Sequence, residues 1–154
     1  LDPADASYFS RRHDDFLGAE LARYHWLLSD IRRRWAGTPV GASESIFEGL
    51  AEATGLRLVT PSRFLEAVSE GSDPTAADKA TVDDQIDHHE IRVFVFNSQN
   101  ATPDIQSLVD SAEAHHIPVT TITETLTPTN VDFQTWQSIQ LEHLDQALAK
   151  GTGT

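Results

Sequence analysis

The sequence predicts an α/β fold. It is a three-layer arrangement in which a roughly four-stranded parallel sheet carries helices on both faces, preceded by one long backbone helix. Three observations predict it. Apolar residues recur at helical spacing from Phe9 to Ile31. Beyond them, short apolar runs alternate with helical ones, the pattern of a parallel sheet joined by crossovers. One of those runs, Val93-Phe94-Val95-Phe96, has no polar interruption, as in a strand covered on both faces.

Each element has its own signal. Asp5 to Trp35 reads as a single helix, opened by Asp2-Pro3, with Phe9, Phe16, Leu17, Leu21, Tyr24, Leu27, Leu28 and Ile31 as its apolar positions. Arg32, Arg33 and Arg34 fall in its last turn, where cations meet the negative end of the dipole, and Gly37 closes it. About thirty residues of helix span about 45 Å, which suits a connecting element. Pro39 to Ala42 is a short buried strand. Ser43 is expected to cap a helix over Glu44 to Thr54, with Ile46, Phe47, Leu50 and Ala51 inward and Gly55 at its end. Leu56, Leu58 and Val59 form a second strand. Pro61 starts a helix to Glu70 with Phe64, Leu65 and Val68 as its stripe, and Gly71-Ser72-Asp73-Pro74 is a turn. Ala76 to His88 reads as a polar, outward helix, followed by a strand over Ile91 to Phe96. Pro103 opens a helix running to about Ala114, and Pro118 to Ile122 is the fourth strand. Thr123 to Asp132 is a loop. Phe133 to Leu148 is the last helix, carrying Trp136, Ile139, Leu144 and Leu148.

Composition narrows the function. The 154 residues suit one domain with a real core, and 39% of them are hydrophobic. The net charge of −13 argues against a general nucleic-acid binder and against a protein drawn to anionic membranes. Arg11, Arg12, Arg23, Arg32, Arg33 and Arg34 all precede residue 35, so the acidic bias belongs to the body of the domain. Without cysteine there is no disulfide, thiolate ligand or cysteine nucleophile. No apolar run approaches membrane-span length, and no signal-peptide pattern opens the chain. The chain begins at Leu1 and contains no methionine, so it reads as a fragment or a processed chain.

Ligands of parallel sheets sit beyond the carboxyl ends of the strands. The residues to inspect are therefore Ser43 and Glu44, Thr60, Asn97 to Asn100, and Thr123 to Thr125. No dinucleotide or phosphate-loop glycine motif, H-E-x-x-H or G-x-S-x-G is present. His88-His89 and His115-His116 stand out, but helical neighbours point about 100° apart and chelate one ion poorly. Both pairs fall near helix C-termini, a favourable place for imidazolium. His13, His25 and His143 are isolated, and Gln99-Asn100 reads as a polar loop. Glu44 and Glu124 are the better candidates. Each lies at or just past the carboxyl end of a predicted strand, on strands expected to be neighbours. Taken singly, a glutamate at a helix start is accounted for by the dipole. Two converging carboxylates in a cysteine-free site suit a hard or borderline divalent cation.

The stretch Trp35 to Leu148 resembles the C-terminal lobe of the zinc and manganese substrate-binding proteins of ABC transporters. The residues that carry the resemblance are Gly37-Thr38-Pro39-Val40, Ser43 to Leu50, Thr54-Gly55-Leu56, Gly71 to Pro74, Val93 to Gln99, Ile117-Pro118-Val119, Thr123 to Leu126, Phe133 to Trp136 and Gln140-Leu141. Leu1-Asp2-Pro3 and the helix after it resemble the segment that joins the two lobes of this family. The resemblance implies residues 1–36 as a linker helix, residues 37–154 as the C-terminal lobe, and an N-terminal lobe elsewhere in the parent. It implies a metal held between lobes by four side chains, two of them histidines of the other lobe. Glu44 matches the third ligand, a position where zinc receptors commonly have histidine and manganese receptors glutamate. The fourth is usually an aspartate after the last strand, and Glu124 is the nearest carboxylate here. The transported ligand would be Mn or Zn, the partner a membrane ABC permease, and the location extracytoplasmic, with the parent a membrane-anchored lipoprotein. Two other readings stand beside it. One is a receptor of the same fold for a metal chelate or small organic ligand, using Asn97, Gln99 and Glu124. The other is a small Rossmann-like enzyme with Glu44 or Glu124 as general base.

Overall fold

Four short strands pair in parallel throughout in the computed structural model, which describes residues 5–154. They are Pro39–Ala42 (β1), Arg57–Leu58 (β2), Phe94–Asn97 (β3) and Val119–Ile122 (β4), in the order β2-β1-β3-β4. Gly41 lies opposite Phe94, and Phe94 opposite Val119. A side chain on Gly41 would put its Cβ 2.9 Å from Ile91 Cδ1 and 3.1 Å from a Phe94 ring carbon, so these two side chains pack closely over the glycine.

The helices are Ala6–Asp15 (α1), Ala22–Trp35 (α2), Glu48–Thr54 (α3), Ser62–Ser69 (α4), Ala76–Asp87 (α5), Pro103–Ala114 (α6) and Phe133–Thr152 (α7). From β1 the chain steps out to β2 through α3. It then crosses back over β1 to β3 through α4 and α5, and on to β4 through α6. Right-handed crossovers put α3 on one face and α4 to α6 on the other. The contacts agree: α2 packs on α3 and α7, and α7 on β4, while α5 packs on α6 and α6 on β3 and β4. The resulting three-layer α/β architecture is the one expected. The chain reverses its direction of travel between β1 and β3, so their carboxyl ends flank the crevice where ligands of open parallel sheets bind.

The core contains Ile31, Val40, Phe47, Phe64, Ile86, Phe94, Leu141 and Leu148. Of the expected apolar stripes, Phe64, Leu65 and Val68 of α4 are all buried, as are Trp136, Leu144 and Leu148 of α7. Across the α2–α7 seam, the buried Trp35 indole N–H donates to Asp145 at 2.7 Å, and Arg34 pairs with the same carboxylate at 3.0 Å. No described helix is long and apolar enough to cross a membrane.

Several elements differ from expectation. The first helix is not one regular element. A π-helical turn over Phe16–Glu20 and a turn at Leu21 separate α1 from α2, with the Leu21 N–H donating to the Phe16 carbonyl at 3.0 Å. Leu27, Ile31 and Trp35 of α2 reach the core, whereas α1 and the π turn bury no side chain and leave Phe9 and Leu17 exposed. Its expected opening at Asp2-Pro3 lies outside the described residues. Helix α5 is not wholly outward, because it buries Val82, Gln85 and Ile86. Strand β2 has only two residues, and β3 is displaced to end on Asn97. Helix α7 runs one turn further than expected, to Thr152, where Gly153 ends it in the left-handed conformation.

Candidate metal site

The parallel register brings the candidate residues to one level. Glu44 is three residues beyond Gly41, and Asn97 three beyond Phe94, its ladder partner. Glu44 is not the helix residue that the sequence suggested. Its backbone is extended, and a single 3₁₀ turn, Ser45–Phe47, separates it from α3. Ser43 caps no helix either. Its hydroxyl accepts the Asn97 backbone N–H at 3.1 Å, which binds the end of β1 to the end of β3. Extended backbone lets Glu44 turn inward, where it is only 3% exposed.

A buried carboxylate needs donors. Glu44 has two, one from the last residue of β3 and one from the segment after it. Asn97 Nδ2 donates to Oε2 at 2.7 Å, and the Asn100 amide donates to Oε1. The same Asn97 nitrogen donates to Glu124 Oε1 at 3.3 Å. One buried amide thus spans two carboxylates, and these oxygens can be no farther apart than the sum of the two distances. The sequence reading expected the strands that precede Glu44 and Glu124 to be neighbours, and they are not. Strand β3 lies between them, and its terminal Asn97 bridges the gap.

The loop bearing Glu124 is held from two sides. The Gln99 side-chain carbonyl accepts the backbone N–H of Glu124 at 2.9 Å and of Thr125 at 3.2 Å, while its amide donates to Thr125 Oγ1 at 2.6 Å. From below, Gln140 of α7 accepts the Thr123 N–H at 2.7 Å, and the Trp136 indole donates to Thr123 Oγ1 at 2.9 Å. Asp132 positions the start of that helix by accepting the Thr135 N–H at 2.8 Å. The Thr135 hydroxyl and this N–H hold the Asp132 carboxyl below its ordinary range.

Two carboxylates without imidazole or thiolate offer oxygen chemistry, suited to a hard or borderline divalent ion. Among the described residues, no group of three or more His, Cys, Asp or Glu side chains converges to hold an ion. Glu44 and Glu124 could by themselves supply only part of a coordination shell. Thr60 takes no part in this cluster. Its hydroxyl accepts the Ala42 N–H at 2.9 Å and ties the end of β2 to β1. The histidines lie elsewhere. His88 and His115 end α5 and α6, and each directs Nδ1 at a carbonyl of its own last turn at 2.9 Å. His89 and His116 follow in the left-handed conformation. Sequence reasoning singled out Asn97 as a residue to inspect and, with Gln99, as a partner for a chelate or organic ligand, read Gln99-Asn100 otherwise as loop, and gave Gln140 and Trp136 no role at the site. The available signal was position: amides immediately beyond the strand that borders the crevice.

The model of the family described as zinc-uptake complex component A, periplasmic, matches residues 1–147. The chain belongs to this family. The family consists of transport receptors, not enzymes, so the enzyme reading falls away. No curated protein matches the chain in sequence. Two solved structures share the fold. A mutant of the laminin-binding adhesin of Streptococcus agalactiae is 17% identical with a TM-score of 0.69, and the match covers 96% of this chain and 53% of that one. A zinc(II)-bound mutant of AdcAII from Streptococcus pneumoniae is 12% identical with a TM-score of 0.53, covering 94% and 49%. At these identities the likeness is one of fold. The chain of the zinc-uptake component A family described here spans about half the length of these proteins.

Proposed function

We propose that residues 1–36 and 37–154 are the linker helix and C-terminal lobe of an extracytoplasmic receptor that carries a divalent cation to an ABC permease. Glu44 and Glu124 supply this lobe's ligands, and a lobe N-terminal to this sequence supplies the rest. The ion is cargo, so no bond is made or broken. The observation that carries the reading is the single Asn97 amide donating to both carboxylates at the carboxyl edge of the sheet. It favours manganese over zinc, because both donors are carboxylate oxygens. In this reading the parent is a lipoprotein held at the membrane.

The test is thermal unfolding of the longest native chain carrying this sequence, with Mn²⁺ and Zn²⁺ in turn. An ion at a hundred times its dissociation constant adds about 2.7 kcal/mol. The expected result is a rise in Tm with Mn²⁺ that Glu44→Ala abolishes. A rise that survives in both Glu44→Ala and Glu124→Ala would remove the site from the proposal.

A second reading has one observation of its own. A cleft of about 510 Å³ between α4, α5 and α6 has Phe64, Val68, Ile105 and Leu108 in its lining and reaches Asn100, the residue that also holds Glu44. That volume suits a small organic molecule or a chelate. A Tm rise with a chelated ion but not with the free ion would favour it.

A further inference from the structure

An ion bound by both carboxylates would lie beside Asn97 Nδ2, which stands 2.7 and 3.3 Å from their oxygens. The Nδ2 hydrogens point at Glu44 and Glu124, an arrangement that repels a cation. The side chain cannot swing out to solvent easily. It is 1% exposed, and its backbone N–H is held by Ser43 Oγ. It can turn about its last side-chain bond, whose torsional preference is broad and roughly two-fold. A half-turn exchanges Nδ2 for Oδ1 and leaves the carboxylates in place. Oxygens about 2.1 Å from one ion at right angles stand about 3 Å apart. The present distances from Nδ2 to the two carboxylate oxygens, 2.7 and 3.3 Å, bracket that spacing.

We propose that Asn97 is a third oxygen ligand of the cation, brought to bear by rotation of its side-chain amide when the ion arrives. The inference rests on the receptor reading above. Without the ion, the amide's hydrogens hold Glu44 and Glu124 together and offset their mutual repulsion. With the ion, the amide's oxygen joins theirs. The rotation also has a reporter. Asn97 Oδ1 now accepts the Gln99 backbone N–H at 2.9 Å, and that bond is lost when the amide turns. Gln99 in turn holds the Glu124 and Thr125 N–H groups through its side chain, so ion arrival is coupled to the loop that bears Glu124.

The test uses the longest native chain, titrated with Mn²⁺ and Zn²⁺ as wild type, Glu44→Ala, Asn97→Ala and Asn97→Asp. Asn97→Ala is expected to weaken Mn²⁺ binding about 10- to 100-fold. Asn97→Asp, which keeps the oxygen and adds charge, is expected to bind Mn²⁺ at least as tightly as wild type. On ¹⁵N-labelled wild type, saturation with diamagnetic Zn²⁺ should shift the Asn97 side-chain NH₂ resonances and speed exchange of the Gln99 backbone amide. A residue that only supports the fold would leave the Gln99 amide protected, and its NH₂ shift would reflect the ion on the neighbouring carboxylates alone. Wild-type affinity in Asn97→Ala, with binding lost in Glu44→Ala, overturns the ligand role and leaves the receptor standing. Absence of binding by wild type overturns both. If Asn97→Ala does not fold, unchanged Asn97 and Gln99 signals at Zn²⁺ saturation overturn the proposal by themselves.

Discussion

Gln140→Met tests whether the site is held from the helix beneath it. Gln140 is 9% exposed, and its side-chain carbonyl accepts the backbone N–H of Thr123, itself 7% exposed, at 2.7 Å. Methionine fills a similar volume, so the substitution opens little cavity and its main effect is to remove an acceptor. A buried N–H left without a partner costs about 1–3 kcal/mol. Apolar burial by methionine offsets part of this, leaving a net loss of about 1 kcal/mol. In a domain of this size that lowers Tm by roughly 2–4 °C. Urea unfolding should show a lower midpoint at unchanged m-value. Gln146→Met, exposed on the same helix, is the control and should stay within about 0.5 kcal/mol. Gln140→Glu keeps an acceptor and should recover most of the loss. Because Thr123 precedes Glu124, Gln140→Met should also weaken ion binding, by about tenfold. A loss below about 0.5 kcal/mol would refute the reasoning, since the Thr123 N–H would then not depend on Gln140.

Two further predictions concern stability. In Gly151→Ala the new Cβ would stand 2.0 Å from the Arg92 carbonyl oxygen, so backbone must move. The strain of about 1–3 kcal/mol outweighs the roughly 1 kcal/mol that alanine gains as a helix former, and calorimetry should show a lower Tm; a higher one would sink the packing argument. In Asp83→Asn the effect depends on pH. Partial burial first, and then the charges of Asp87 and Asp84, hold the Asp83 carboxyl above its ordinary range, with Lys79 opposing. A carboxyl raised in the folded state favours folding while protonated, and that contribution is lost as pH rises through the folded value. The asparagine variant should therefore be more stable at pH 7, by about a few tenths of a kcal/mol given solvent screening. Its advantage should vanish below about pH 4, and an advantage that persisted there would exclude the charge explanation.

Much of the fold was legible because its signals are local and physically independent. Pro103 and Gly55 bound helices by their backbone preferences alone, and the Phe64, Leu65, Val68 stripe needed only a helical period. The failures mark where tertiary contacts override local preference. Phe9 and Leu17 continue the apolar period of Leu27 and Ile31, and nothing in that spacing reveals a π turn between them. Ser43-Glu44 has the residue pattern of a helix start, yet Ser43 donates its capping capacity to another strand, because the Asn97 N–H lies across the ladder from it. A serine can satisfy a helix end or a strand end. Sequence shows the hydroxyl, and only the register shows which N–H it meets.

The site divides along the same line. Its charges were legible, since carboxylates at the ends of strands are few and point to a small set of chemistries. Its organisation was not, because every residue that arranges those charges is a neutral amide or an indole. Asn97, Gln99, Asn100, Gln140 and Trp136 have no charge to draw attention, and each does ordinary work in loops and helices elsewhere. What distinguishes them is convergence from elements distant in sequence: β3 and the loop after it reach the two glutamates, and α7 holds Thr123, the residue before one of them. That convergence follows from the strand order. With β3 between β1 and β4, the segment leaving β3 emerges between the two carboxylates that follow β1 and β4. A charged residue at Asn97 would either repel both glutamates or neutralise one of them permanently. An amide offers its hydrogens to the empty pair and can offer its oxygen to the same pair once a cation has arrived.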